Sequence, residues 1–358
     1  MKDLRTASEI STYILLAVLL LVILPLGLDA YRLNIVSKYL ALAFVAIGIV
    51  LTWGYGGILS LGQGIFFGIG GYLMAMFLKL EASAPELPDF MVWSSVEALP
   101  AWWVPYHSFA FTIVSILALP AVLSFIFSYA IFRKRVSGVY FAIVTLSLAL
   151  TLATILTGAQ GQTGGFNGIT DFNTLMGIDI ISDESKFVLY VIQVLMLFAV
   201  GALVSLMIRS RFGKVLIAIR DREDRVRFSG YDTAMFKAFA FMVAAVLSSI
   251  GGALYTLQVG LIAPSVVGVM SSVEMVIYAA VGGRLSVPGA IVGSLLVGFA
   301  RSYLSEYFPE SWLFFLGGLF IVVVMVIPNG LSDLVDRLLA RIAALWPAAR
   351  KAERSMAQ

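Results

Sequence analysis

The sequence predicts an all-α protein that crosses a membrane many times, and three observations predict it. Of 358 residues, 60% are hydrophobic and 13% are charged, about half the charged share of a soluble domain. Mean hydropathy is +0.97. The apolar residues fall in runs long enough to span a bilayer, about 20 residues each. The 32 glycines suit close helix packing and interrupted helices in lipid.

The runs give about ten spans, with cores near 12–28, 35–53, 63–80, 109–131, 139–157, 187–208, 238–258, 272–283, 288–303 and 312–328. The first run follows Lys2 and Arg5 but has no small-residue cleavage pattern beside it, so it reads as a retained helix. The eighth run is short enough for a half-membrane or re-entrant segment.

Charge sets the expected orientation. Lys2 and Arg5, Arg133 to Arg135, the stretch from Arg209 to Lys237, and the chain after Arg337 are basic. An even number of spans places all of them on one side, the cytoplasm, with both termini. The alternate loops, 81–107 and 158–185, carry acids and no Lys or Arg. The first of these also has Trp93, Trp102, Trp103 and Tyr106 with four prolines. It reads as a membrane-hugging connector with an aromatic belt, or as a contact for an external partner. Residues 1–330 then form the membrane domain. Residues 331–358 form a cytoplasmic tail, in which Leu334, Leu338, Leu339, Ile342 and Leu345 make one face of an amphipathic helix.

No enzyme site is visible. The single histidine, His107, has no metal-ligand company, there is no cysteine, and no G-x-x-x-x-G-K-[ST] loop occurs. Gly68, Gly70 and Gly71 imitate a dinucleotide fingerprint but lie in an apolar span without a βαβ setting. No cofactor is expected in this chain. The basic residues sit in loops beside spans, which gives no nucleic-acid signal.

Four places carry functional signal. In the tract 54–72, Gly54, Gly56 and Gly57 break the second span, and Ser60 and Gln63 bring polar groups to the start of the third. Gly64, Gly68, Gly71 and Ala75 line one face at the spacing that admits a neighbouring helix closely. The tract is either a packing seam or a cavity-facing break that offers freed backbone groups to a polar solute. Glu274 is an acid within a span. It either faces a partner or water path, or lies near the interface, or caps a helix that starts at Ser271. The loop 163–171, TGGFNGITD, is a structural turn or a mouth of the pathway, with Asn167 as its polar residue.

The fourth place is the charged island 209–237. A helix from Phe212 to Phe228 carries Val215, Leu216, Ile219 and Val226 at helical spacing. Arg220, Asp221, Arg222, Glu223, Asp224 and Arg225 give it mixed charge. Gly230 should stop it, and Asp232 or Thr233 should cap the next span. A solvated basic flank is the plain reading. Mixed charge beside an apolar face argues for docking to a partner.

Several separated stretches together resemble one family: LSLGQGIFFGIGGY, SGVYFAIVTLSLAL with TGGFNGITDF, FGKVLIAIRDREDRVRFSGYDTAMFKAFAF, SSIGGALYTLQVGLIAP and VEMVIYAAVGGRLSVPGAIVG. They occur in order from about residue 35 to 330 and resemble the permease subunits of ATP-binding-cassette importers for branched-chain amino acids and urea. GGFNGITDF, with Phe166 where the amino-acid subunits tend to have Pro, and the Trp- and Pro-rich 81–107 loop resemble the urea-type subunit. VTLSLAL departs from that type, which carries Gln near Leu146.

The resemblance implies a type II importer-like fold in a bacterial inner membrane. It implies a second, related permease subunit, two cytoplasmic ATPase subunits that bind ATP and Mg, and a periplasmic substrate-binding protein. It also places the segment Phe212 to Tyr231, with Ile219, Phe228 and Gly230, in a groove of an ATPase. On this reading the chain moves urea or a short amide by alternating access past Ser60, Gln63, Gly64, Gly68, Asn167 and Glu274. A branched-chain amino acid is the alternative substrate. A self-sufficient channel or ion-coupled carrier would need a series of intramembrane acids or bases. An intramembrane enzyme would need paired catalytic groups.

Overall fold

The computed structural model of the chain describes residues 11–136, 138–326 and 330–332. The amphipathic tail expected over 331–358 lies outside these residues beyond Ser332. Ten apolar helices coincide with the ten predicted runs: α1 (Ser11–Gly27), α2 (Ala30–Tyr55), α3 (Gln63–Ser83), α4 (Phe109–Arg133), α5 (Val139–Gly158) and α6 (Asp183–Arg209). An amphipathic helix, α7 (Arg211–Phe228), interrupts them. Then follow α8 (Thr233–Val259), α9 (Val269–Gly282), α10 (Val287–Tyr307) and α11 (Trp312–Val326). Among the described residues, seven of these are long and apolar enough to cross a membrane.

Local chemistry sets the ends. Asp29 caps α2 by accepting from Arg32 N, and Ser182 caps α6 by accepting from Ser185 N. Asp232 accepts from Ala234 N and Met235 N. The seventh span therefore starts at Thr233, five residues before its apolar core. Gly230 has φ +86° and turns the chain between α7 and α8.

The centre of the bundle is α2, α3 and α8, and glycines bring their backbones together. A Cβ on Gly70 would lie 2.0 Å from Ser249 O, and one on Gly252 would lie 1.8 Å from Phe67 O. Thr256 Oγ1 donates to Gly71 O at 3.2 Å, and Ser249 Oγ donates to Ile116 O on α4 at 2.8 Å. Such contacts replace the hydrophobic drive that lipid does not supply. By contrast, α4, α5 and α6 are only 28%, 22% and 33% buried and form an outer rim.

The eighth run behaves as its length suggests. Its 14 residues extend about 21 Å, short of a hydrocarbon core of about 30 Å. The irregular segment 261–268 before it packs into the bundle through Ile262, Pro264 and Val267, while Leu261 and Ser265 are exposed. Ile262 packs on Gly71, and Val267 packs on Gly68. Protein covers the irregular backbone there, the condition under which it is tolerated at membrane depth.

At the acidic end, Lys79 Nζ binds Asp89 at 2.9 Å and holds a helical turn over Asp89–Trp93. The Glu81 carboxylate accepts from Met176 N and Gly177 N at 2.9 and 2.7 Å. It thereby clamps the tip of a small hairpin, β1 (Thr174–Leu175) with β2 (Ile178–Asp179). Of the loop aromatics, Trp103 and Tyr106 are buried, whereas Trp93 and Trp102 are exposed.

Candidate functional site

The predicted pathway residues at the start of α3 and in the turn before it are closed in. Ser60 is buried, and its Oγ accepts from Gly62 N at 3.2 Å. Gln63 is buried, and its Oε1 accepts from Ser248 Oγ at 3.0 Å. Its Nε2 has no partner among the described residues. The seam along Gly64, Gly68 and Gly71 does admit close neighbours, Ser272 of α9 and Thr256 of α8 as well as the irregular segment between those two helices. A Cβ on Gly64 would meet Ser272 Oγ at 2.6 Å and Val267 O at 2.8 Å, and one on Gly68 would meet Val267 Cγ2 at 2.2 Å. The irregular segment before α9 fills most of the seam, with Ser272 of α9 at Gly64 and Thr256 of α8 at Gly71.

Glu274 lies on the second turn of α9, which begins at Val269 behind Gly268. The capping role open to it from sequence is therefore not realised. Its oxygens accept from one guanidinium nitrogen of Arg301 at 2.7 and 2.8 Å, and from Tyr278 OH at 2.5 Å. Arg301 in turn lies over the Trp312 ring at 5.2 Å. The sequence reading missed Arg301. The signal was present, because Arg301 lies in the predicted ninth span and an acid in one span calls for a cation in another. No hydrogen bond joins this cluster to Ser60 or Gln63 among the described residues. Glu274 is thus the buried member of a part-buried ion pair with Arg301.

Asn167 is exposed at the end of the short turn Gly165–Asn167, beside Phe166, which is 82% exposed. Ile169 and Ile262 exchange backbone hydrogen bonds at 2.9 and 3.1 Å. The predicted mouth loop is thereby fastened to the segment that fills most of the α3 seam.

The polar surface that does face outward is on α5. Three rim helices expose most of their length, and their hydroxyls point in opposite directions. On α4, Thr112, Ser115, Ser124 and Ser128 are all buried, and the outer face is Val114, Leu117, Val122 and Ile126. The outer face of α6 is likewise apolar, with Ile192, Leu195 and Leu203. On α5, Ser147, Thr151, Thr154 and Thr157 are exposed. Thr151, Thr154 and Thr157 donate to the carbonyls four residues back, at 2.8 to 2.9 Å. Their protons are occupied, so the outward oxygens remain as acceptors. Tyr140, Val144, Ser147, Thr151, Thr154 and Gly158 share this face at alternating spacings of four and three. The inner side of α5 carries Phe141, Thr145 and Ala149, all buried.

Both ends of the α5 face meet the predicted places. The chain leaving Gly158 leads to the Asn167 loop. Gly138, just before Val139, lines a cavity of about 270 Å³ together with Gly57, Ile219, Arg220, Glu223 and Lys237.

The island is the helix that the sequence predicted, broken once at Arg222 (φ −153°, ψ 77°). Its apolar side is turned into this chain, with Leu216 and Ile219 buried. Ile219 is therefore not an external contact surface. Arg220 Nη1 donates to Gly54 O at 2.7 Å, and Nε donates to Asp221 at 3.0 Å. Glu223 accepts from Lys237 at 2.8 Å, Thr233 at 3.0 Å and Arg227 at 3.1 Å. Burial acts to raise the Glu223 carboxyl, but the bond and charge of Lys237, then Thr233 and Arg227, outweigh it and hold the group below its usual range. Asp221, Arg222, Asp224, Arg225, Gly230 and Tyr231 are exposed, and Phe228 is 92% exposed. The outward surface of the island includes these residues together with Arg211, Lys214, Ala218, Arg220, Ser229 and Asp232, which are also exposed.

Among the described residues, no group of three or more His, Cys, Asp or Glu could hold a metal ion. No solved structure matches the chain significantly. Similar proteins include the high-affinity branched-chain amino acid transport system permease protein LivM of Salmonella typhimurium LT2, 22% identical over 86% of this chain and 71% of its own length. LivM of Escherichia coli K12 is similar to the same extent. A probable branched-chain amino acid transport permease protein LivH of Methanocaldococcus jannaschii is 19% identical over 76% of this chain and 79% of its own length. The urea-type resemblance finds no counterpart in these names. Residues 31–324 match a family described as branched-chain amino acid transport system / permease component, and the chain belongs to that family of multi-pass membrane permeases.

Proposed function

We propose that this chain is one of two related permease subunits of an ATP-driven importer for branched-chain amino acids. The observation that carries the reading is the α5 face. A row of outward acceptors on an otherwise apolar rim is the lining of a polar passage, and one chain supplies only one wall. A second permease subunit supplies the other. The α5 face alternates Ser147, Thr151 and Thr154 with Val144, Leu148 and Ile155, so polar and apolar groups lie side by side. That surface suits a zwitterion with a branched apolar side chain better than it suits urea, which has no apolar part. The names of the relatives support the same substrate class.

The energy comes from elsewhere, because the chain has no phosphate-binding loop of the Walker type. Two cytoplasmic ATPase subunits bind ATP and Mg, and they dock on the exposed part of the island around Phe228 and Tyr231. The basic end of the bundle faces the bacterial cytoplasm, by the positive-inside rule. The acidic end receives a substrate-binding protein. In this reading Asn167 and Phe166 lie at the outer mouth. Ser60, Gln63, Gly64 and Gly68 belong to the wall that supports α5, and Glu274 to the pair that holds α9 to α10.

The test is uptake into vesicles that contain the purified permease pair, the ATPase subunits and the binding protein. Leucine accumulates only with ATP, and excess urea does not compete. Urea accumulation without leucine accumulation selects the urea reading. Uptake by this chain alone sinks the importer reading altogether.

A further inference from the structure

The end of α2 connects the island to the passage. Its last turn, Val50–Tyr55, widens into a π-helix and then breaks, which frees carbonyls that a continuing helix would use. Arg220 of α7 fills one of them, Gly54 O, at 2.7 Å. The fit is close. Gly57 has φ +67°, and a Cβ there would lie 2.8 Å from Arg220 Cγ. A Cβ on Gly56 would lie 2.7 Å from Thr52 O and 3.4 Å from Leu216 Cδ1. From this point the chain runs to Leu61, whose N–H donates to Thr145 Oγ1 on the inner side of α5 at 3.1 Å. Gly62 lies against the Thr145 carbonyl, 2.5 Å from where its Cβ would stand. Arg220, beside Leu216, therefore joins α7 to a broken segment, and the Thr145 hydroxyl and carbonyl join that segment to the helix bearing the passage.

The break at Arg222 divides α7 into two parts with different attachments. The part before it is fixed to the α2 break through Arg220, and buries Leu216 and Ile219. The part after it is fixed to the start of α8 through Glu223 and Lys237, and ends in exposed Phe228. The cavity of about 270 Å³ lies between these attachments and Gly138, which gives the junction room to rearrange.

We propose that Arg220 is a positioning residue for transport. It carries displacement of the island through Gly54 and residues 55–62 to Thr145, and so to the α5 face. The proposal rests on the importer reading above. Its test uses the complete complex in vesicles and reads leucine taken up per ATP hydrolysed. Arg220→Ala lowers that ratio at least fivefold, and Arg220→Lys, which still offers a donor to Gly54 O, restores at least half of it. Thr145→Val, at the far end of the same link, lowers the ratio in the same direction.

A ratio that stays at the wild-type value in Arg220→Ala overturns the proposal, even if both rates fall together. If the variants do not assemble, hydrogen exchange on the wild-type complex decides. Residues 50–62 change protection at least threefold between nucleotide-free and ATP-trapped states if the link operates, and no change there overturns it. The two failures are distinguishable. Absence of leucine uptake by the wild-type complex removes the substrate reading, whereas normal uptake with an unchanged ratio removes only the role of Arg220.

Discussion

Helices α3 and α5 both carry small and polar residues through a span, and they use them in opposite ways. Helix α3 is 83% buried and α5 is 22% buried. On α3 the glycines are consumed by packing, with Val267 against Gly68, Ile262 against Gly71 and Ser249 against Gly70. On α5 every hydroxyl except that of Thr145 remains at the surface. The same residue types therefore make a seam where neighbours fill them and a passage wall where nothing in the chain does. What separates the two is the neighbour. The segment 261–268 that closes most of the α3 seam comes from nearly 200 residues further along the sequence.

Four changes sharpen that contrast, from the largest effect down. Gly70→Leu drives a side chain into the Ser249 backbone. Overpacking at a backbone contact costs about 3 kcal/mol or more, and the detergent-solubilised protein should lose its folded peak on size exclusion. A folded, monodisperse Gly70→Leu chain would break the packing account of α3.

Glu274→Gln leaves the half-buried Arg301 without its carboxylate, at a cost of about 2 kcal/mol, read as a lower melting temperature. Arg301→Met in the same chain should recover most of the loss, since no unpaired charge then remains and the glutamine amide at position 274 can still bond Tyr278. Recovery identifies Glu274 as half of an ion pair. Stable single variants with impaired uptake would return it to the pathway.

On α5 the expected pattern reverses. Thr151→Leu with Thr154→Leu should leave melting unchanged within about 0.5 kcal/mol, as for exposed positions generally. It should lower leucine uptake about tenfold, equivalent to about 1.4 kcal/mol in the barrier. The matched change on α4, Val114→Leu with Val122→Leu, should do neither.

The smallest effect is at the island. The carboxyl of Glu223 titrates below its usual range in the folded chain. Its contribution to stability is complete above the unfolded carboxylate value, about 4.3, and is lost as pH falls through the lower folded value. Melting measured from pH 7 downward should show that loss in wild type and a shallower one in Glu223→Gln. Parallel curves would mean that the Lys237 contact adds nothing.

Much of this molecule was legible in its sequence. Long apolar runs gave ten helices, and Asp232 and Gly230 marked the boundaries of the island. The α3 glycines announced a close approach, since spacing of four and three on one face has few other uses. The identity of the approaching segment was not legible, because 261–268 has no periodicity of its own. Arg301 was overlooked as the partner of Glu274, although both lay in predicted spans. The α5 hydroxyls were hidden for a different reason. Four serines and threonines on α4 and five on α5 look alike in sequence, and only packing shows that the α4 set and Thr145 point in and the other four on α5 point out. Ile219 taught a similar lesson, since an apolar face on a charged helix serves its own chain before any partner.

The central claim is that the outer face of α5 lines a water-filled route for the substrate. The chain has no cysteine, so single cysteines can be placed at Ser147, Thr151 and Thr154, with Val114, Leu117 and Val122 on α4 as controls. A membrane-impermeant thiol reagent, applied to the assembled complex during turnover, should label the three α5 positions, and leucine should slow that labelling. Labelling confined to neither helix, or equal on both, would contradict the claim and return α5 to the lipid.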